Sequence, residues 1–429
     1  MAVLPESMEQ IDPENPAESL KILDEYIHPQ VIDPEVIALM KTPAILSDGT
    51  AAEYCGGLMT HKLHGLDVFG HGGADAAYRG QVSCIPEKEL EVISEVSEDK
   101  KAAIRDYLQT VPISIQHIEQ GHVFDIIVTE RSGDSYAKVR IADFHTNICL
   151  IEKNGRVLYE KPLLNEEARR DSRVDRSLLN MKDIWDFAET ADLQDVADLL
   201  ERQIRYNNAI AEEGLLGDYG ANIGRVLLST YGNDVSIRAK AKAAAGSDAR
   251  MNGCELPVII NSGSGNQGIT CSVPLIEYAK ELHSGKEKLY RALIISNLVA
   301  IHEKTGIGTL SAYCGAVSAG AGAGAGIVYL CGDGYQAAIH TVVNALAIVS
   351  GIVCDGAKAS CAAKISAAVD AAILGHDMAM QGRGFRAGEG LIQDTVEQTI
   401  ASMGYVGRVG MKDTDIEILN IMIGKTQVC

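Results

Sequence analysis

The sequence predicts an α+β fold: an N-terminal mixed α/β part with a small, mostly antiparallel sheet, then a large all-α C-terminal domain. Three observations carry this. Short β-branched runs, separated by Gly- and Asn-containing turns, are confined to residues 111–160. Beyond about Asp183, apolar residues recur at intervals of three and four nearly to the end. Between them, Asn165–Arg176 is unusually charged and marks a boundary, so 1–182 and 183–429 are the expected domains.

In order along the chain, Pro16–Tyr26 has helical spacing behind the turn-rich Asp12–Pro16. Ser47–Gly80, with His61, His64 and His71, reads as loop with short elements, and Glu87–Leu108 as a charged helix. Strands are expected at Val111–Gln116, Val123–Thr129, Ala137–Ala142, Asn147–Ile151 and Arg156–Tyr159. Ser132-Gly133-Asp134 and Lys153-Asn154-Gly155 supply hairpin turns. Helices are expected at Asp183–Asn208, Pro274–His283, Lys288–His302 and Thr395–Met403.

The net charge of −20 works against nucleic acid and anionic membranes, which are themselves anionic. Met1–Ser7 lacks the basic start and apolar run of a signal peptide, and the ten cysteines are scattered, so reduced thiols and a cytoplasmic location are expected. Leu310–Cys331 carries no charge and is long enough to span a bilayer. It is dominated by Gly, Ala and Ser, however, so a helix buried inside a soluble bundle is the better reading, its small residues permitting close backbone approach. The residues do not fix an oligomeric state, though a homodimer is common among large helical enzymes of this composition.

Two patches carry chemistry. Asn261-Ser-Gly-Ser-Gly-Asn-Gln-Gly268 follows the apolar Leu256–Ile260. Its glycines let backbone N–H groups converge, and Asn261, Ser262, Ser264, Asn266 and Gln267 add neutral donors suited to a carboxylate or phosphate. It is read as neither a P-loop nor a dinucleotide fingerprint, the Gly-x-Gly-x-x-Gly spacing being taken as absent. Upstream, Arg250 offers a guanidinium for a carboxylate. The second patch is Cys314, Cys354 and Cys361, three thiols among small residues. Any single cysteine, taken alone, reads as core packing. Zinc would favour a closer cysteine knuckle, and the spacing is not that of a ferredoxin. Three thiolates on a cubane would leave one iron open as a Lewis acid. Asp143-Phe-His145-Thr-Asn147 places an imidazole and an amide at the start of a strand.

Together these strings resemble a known family. Glu213-Gly-Leu215, Ser247-Asp-Ala-Arg250, Asn261–Ile269, Ser311-Ala-Tyr-Cys314 and Gly351–Cys361 occur in the order found in the iron–sulfur L-cysteine desulfidase family, relatives of the iron–sulfur L-serine dehydratase α chain. The resemblance implies a [4Fe–4S] cluster on Cys314, Cys354 and Cys361. It also implies α,β-elimination of L-cysteine to pyruvate, ammonia and sulfide. Arg250 and the Asn261–Gln267 string would hold the carboxylate of a small amino-acid substrate, with Asn147 and His145 lining the site. The family's N-terminal Gly-Cys-Thr-Glu-Pro string has no counterpart here, and Cys55 is a candidate in its place without matching it. Elimination from serine or another β-substituted amino acid, and a non-catalytic cluster or redox-sensing role, stand as alternatives. Cys429 ends the chain with a thiol and an α-carboxylate, so it is a candidate tail ligand for the open iron; an ordinary frayed terminus is the competing reading.

Overall fold

The computed structural model describes residues 97–114, 118, 124–143, 147–163, 175–308, 310–422 and 424–425, together with the backbone of two short strands at 43–45 and 51–55. Those strands, β1 (Pro43–Ile45) and β2 (Ala51–Cys55), pair antiparallel. The charged helix expected before the sheet is α1 (Glu98–Thr110). Val111–Ser114 forms no strand, contrary to the periodicity of its β-branched residues. Val111 instead closes α1 by donating to Tyr107 O at 2.8 Å, and Pro112 has no N–H to give a ladder.

The sheet is a four-stranded antiparallel meander: β3 (Asp125–Ser132), β4 (Ser135–Ala142), β5 (Ile148–Lys153) and β6 (Arg156–Glu160), neighbours in sequence order. Asn154 and Gly155 both take positive φ, 50° and 79°, which is the backbone that an Asn-Gly hairpin turn requires. Phe124, Val139, Ile141 and Ile148 form the sheet's own small core. On β3 and β4, Arg140 holds Asp125 through two hydrogen bonds of 2.8 and 2.6 Å.

The remainder is helical: α2 (Met181–Thr190), α3 (Ala197–Leu216), α4 (Ile223–Tyr231), α5 (Val235–Met251), α6 (Gly265–Glu281), α7 (Lys286–Ile307), α8 (Gly315–Cys331), α9 (Gly334–Ile348), α10 (Ser360–Met380), α11 (Val396–Tyr405) and α12 (Lys412–Met422). The helix expected over 183–208 is broken, because Asp192 caps a single 3-10 turn, its carboxylate accepting from Gln194 N–H at 3.0 Å. The helix expected from Pro274 begins nine residues earlier: Ser264 is its cap and Pro274 lies inside α6. Proline's preference for helix starts misplaces that boundary, since burial on all sides holds α6 together through the lost backbone bond.

The uncharged α8 is the buried axis, packed on α6, α7, α9 and α10. Its glycines explain how. A Cβ on Gly322 would lie 2.4 Å from Ser296 O of α7, and one on Gly320 would lie 2.7 Å from Ala368 O of α10. The alternation of Gly and Ala therefore gives two faces of near backbone contact. Among the described residues, no helix is long and apolar enough to cross a membrane.

Candidate functional site

Cys314 and Cys354 are brought together by the smallest unit of sheet. Tyr313 and Val353 form an isolated antiparallel bridge, Cys314 N–H donates to Ile352 O at 2.9 Å, and Cys354 N–H donates to Ala312 O at 2.7 Å. Cys314 is also the cap of α8, so its sulfur faces an N-terminal turn whose Ala316 N–H points at it. Cys361 lies in the first turn of α10. The loop between the two later cysteines turns at Gly356, φ 92°, and wraps the Cys361 sulfur, which receives Lys358 N–H at 3.4 Å and faces Gly356 O at 3.5 Å. Two of the three thiols thus sit at helix N-termini, where the peptide dipoles favour thiolate.

Cys314 and Cys354 shift each other in opposite directions. Cys354 is drawn down to about 6, chiefly by hydrogen bonding from the Cys314 thiol, with Gly356 N–H, Lys364 and Lys304 assisting against burial. Cys314 is pushed up for the same reason, by the pair it makes with Cys354 and then by burial. Burial raises Cys361, and Lys358 N–H offsets part of that. The Cys314 and Cys354 thiols are in hydrogen-bonding contact. Three thiols are a soft donor set of the kind that holds iron–sulfur groups.

The Asn261–Gly268 string resolves into a turn and a helix start. Asn261 and Ser264 exchange backbone hydrogen bonds of 3.1 and 3.0 Å around Ser262 and Gly263, which take φ of 49° and 82°. Contrary to the expectation from sequence, Gly263, Gly265 and Gly268 have the Gly-x-Gly-x-x-Gly spacing of a dinucleotide fingerprint. The context is lacking, because the preceding 254–260 segment is not a strand of any sheet. Asn207 fixes that segment from α3, accepting Ile259 N–H at 2.8 Å and donating to Ile259 O at 3.1 Å.

The polar side chains of the string divide by role. Asn261 donates to Asn297 O and Oδ1 at 3.2 and 3.0 Å, and accepts from Ser262 Oγ at 2.9 Å, so both are engaged in holding the turn. Gln267 reaches the cysteines: a Cβ on Gly315, the residue after Cys314, would lie 2.4 to 2.7 Å from its amide atoms. Its Oε1 is buried without a hydrogen-bond partner. Asn266 Oδ1 accepts from Arg250 Nη1 at 3.4 Å, and Ser264 caps α6 without a side-chain bond.

Arg250, at the end of α5, packs where a Cβ on Gly265 would be 2.4 Å from its Nε. Burial lowers it to about 10, and the nearby Cys361 sulfur pulls it back up. Among the described residues, no carboxylate pairs with it. Its neighbour Asp248 is structural, accepting Ile223 N–H at 2.6 Å at the start of α4. Asn147 is committed to the sheet, donating to Ala142 O at 2.8 Å and accepting from Lys161 Nζ at 3.1 Å. His145, Cys429 and the side chain of Cys55 lie outside the described residues.

Two residues escaped the sequence reading. Lys304 of α7 is buried and feels Cys354 and Cys314, although burial lowers its affinity for a proton. Glu303 is buried beside it, its carboxyl pushed well above the usual carboxylate range by burial, with only Ser318 opposing. Adjacent charges near a helix end ordinarily read as solvated, and only the packing of α7 on α8 buries them.

A family model described as serine dehydratase alpha chain matches residues 87–420. A UPF0597 protein of Desulfitobacterium hafniense is 57% identical over 350 residues, 82% of this chain and 81% of that protein. Those of Lachnoclostridium phytofermentans and Finegoldia magna are 49% and 45% identical, covering 85% and 86% of this chain and 85% and 89% of theirs. No solved structure matches.

Proposed function

We propose, from the premise that this chain belongs to the serine dehydratase alpha chain family, that it is a lyase acting on a small β-substituted L-amino acid, with L-cysteine the leading substrate. The observation that carries the reading is Arg250, a cation with no carboxylate partner among the described residues, set beside Cys361 and the start of α6.

Cys314, Cys354 and Cys361 would hold a [4Fe–4S] cluster. When bound, it would supply an open iron as Lewis acid toward the β-substituent, the substrate thiol in the case of cysteine. The fit rests on three soft thiol donors, two helix N-termini, and the buried Lys304, whose charge acts on Cys354 and Cys314.

The chain's own groups then orient the substrate. Arg250 takes the α-carboxylate in a bidentate pair, and Asn266 steadies the guanidinium. The α6 N-terminus adds backbone donors to the same carboxylate. Gln267, with its unpartnered Oε1, accepts from the substrate ammonium. Loss of the α-proton and of the β-sulfur as sulfide leaves aminoacrylate, which takes up water and releases ammonia to give pyruvate. Cys55 and His145 are the candidates for receiving that proton.

L-serine is the second substrate, favoured by the description of the matched family model. Anaerobically purified protein is expected to be brown, and Cys314→Ala, Cys354→Ala and Cys361→Ala each to lose iron. Assays for pyruvate and sulfide separate the substrates: both products from cysteine, pyruvate alone from serine. Iron without turnover of either would leave the non-catalytic reading. A colourless protein after anaerobic reconstitution would overturn the cluster.

A further inference from the structure

Among the described residues, one group brings three metal-ligating side-chain atoms within 4.8 Å of one another: Cys331, Asp333 and His376. None belongs to the thiol patch above. Cys331 ends α8, whose other end is capped by Cys314, so about 25 Å of helix separates the two thiols at 1.5 Å per residue.

The backbone pre-sets two of the ligands. Gly332 takes φ 84°, and α8 closes with Gly332 N–H donating to Val328 O and Tyr329 O, and Asp333 N–H donating to Val328 O at 3.2 Å. That left-handed close turns Cys331 and Asp333 toward the same side of the chain. The third ligand comes from α10, whose register against α8 is fixed by the glycine contacts: Gly320 on Ala368 and Gly324 on Ala372. One turn beyond Ala372, His376 is buried, with Nε2 2.8 Å from Asp333 Oδ2.

We propose that Cys331, Asp333 and His376 form a second metal site, for a divalent transition ion of the zinc class. The donor types are the reason. One thiolate, one imidazole and one carboxylate are the borderline set that zinc takes, whereas calcium and magnesium require oxygen. A tetrahedral ion with bonds of ~2.0–2.3 Å would hold these donors roughly 3.3–3.8 Å apart. The Asp333–His376 contact, 2.8 Å, would open by about half an ångström to reach that range, and the Cys331 sulfur already lies within 4.8 Å of both ligand atoms. Three protein ligands leave one position for water. The ion would clasp the far ends of α8 and α10, the two helices whose N-termini present Cys314 and Cys361. The competing account is a plain buried His–Asp pair with a bystander thiol.

The test uses the full chain, stripped with chelator and titrated anaerobically with Zn²⁺. Wild type is expected to bind one equivalent that Cys331→Ser and His376→Gln each remove, and to melt several degrees higher with zinc, a rise both variants lose. A Cys314→Ala/Cys354→Ala/Cys361→Ala variant should retain that equivalent, so failure of the cluster assignment leaves this result legible. Co²⁺ reports the sulfur directly, through a thiolate charge-transfer band absent from Cys331→Ser. Asp333→Asn provides a third variant should either substitution fail to fold. Zinc stoichiometry and melting unchanged in folded Cys331→Ser and His376→Gln would overturn the proposal, as would a triple variant that binds no zinc.

Discussion

Gly322→Ala in α8 is expected to destabilise the protein, against the usual sign of a glycine-to-alanine change in a helix. Intrinsic preference alone favours alanine by ~1 kcal/mol. Here the new methyl would sit 2.4 Å from the backbone oxygen of Ser296 and 3.2 Å from Ala300 N. That overlap is about 1 Å, and a helical carbonyl cannot swing away as a side chain would. Relief requires α7 to separate from α8 along a buried seam. Overpacking costs ~1–3 kcal/mol, with rigid backbone contact at the upper end. The net loss is therefore roughly 2 kcal/mol, or about 4–8 °C in melting temperature for a domain of this size. Thermal unfolding followed by circular dichroism measures it. The series should rank by what each methyl meets: Gly322→Ala worst, Gly320→Ala next at 2.7 Å from Ala368 O, and Gly324→Ala mildest at 3.0 Å from the Ala372 methyl. A Gly322→Ala protein melting at or above wild type would refute the seam argument.

Other expectations follow from single groups. Arg250→Lys keeps the charge but loses the fork, so KM for the amino acid should rise about tenfold or more, a loss of ~1.4 kcal/mol, while iron content is unchanged. Equal KM in steady-state assays would remove Arg250 from substrate binding. Asp234 caps α5 and is held below its usual range by Ser236 Oγ and Ile237 N–H. Its contribution, ~1 kcal/mol, is present above about pH 3.9 and lost as pH falls through the lowered folded value. Asp234→Ala should thus be less stable than wild type at neutral pH and converge with it in acid denaturation curves. Glu303 has the opposite sign, since burial raises its folded pKa. Its neutral form is matched in both states below about pH 4.3, and stability is lost as pH rises above that. Glu303→Gln should melt above wild type by a margin that widens with pH; a constant margin would contradict the buried-carboxyl reading.

Much of the architecture is legible in local chemistry. The Asn154-Gly155 turn, the alternation of Val139 and Ile141, and the charge-free run ending at Cys331 each depend on neighbours within a few residues. The departures have two causes. Pro274 looks like a helix start until nonlocal burial carries α6 through it, and Val111 looks like a strand although the end of α1, four residues back, takes its N–H.

The candidate site divides along the same line. The chain alone determined which residues are chemically suited: three soft thiols, an arginine, and a string of neutral donors behind a turn, because residue type and order are properties of sequence. Only the tertiary structure decided which of them meet. It set Gln267 against Gly315 and Arg250 beside Cys361, and committed Asn261 and Asn147 to holding the backbone. It also buried Glu303 and Lys304 under α8 and joined His376 to Cys331 and Asp333 across 43 residues of chain. The physical reason is that a side chain's charge state and partners depend on what excludes water around it. That exclusion comes from the close approach of α7 and α10 to the glycines of α8.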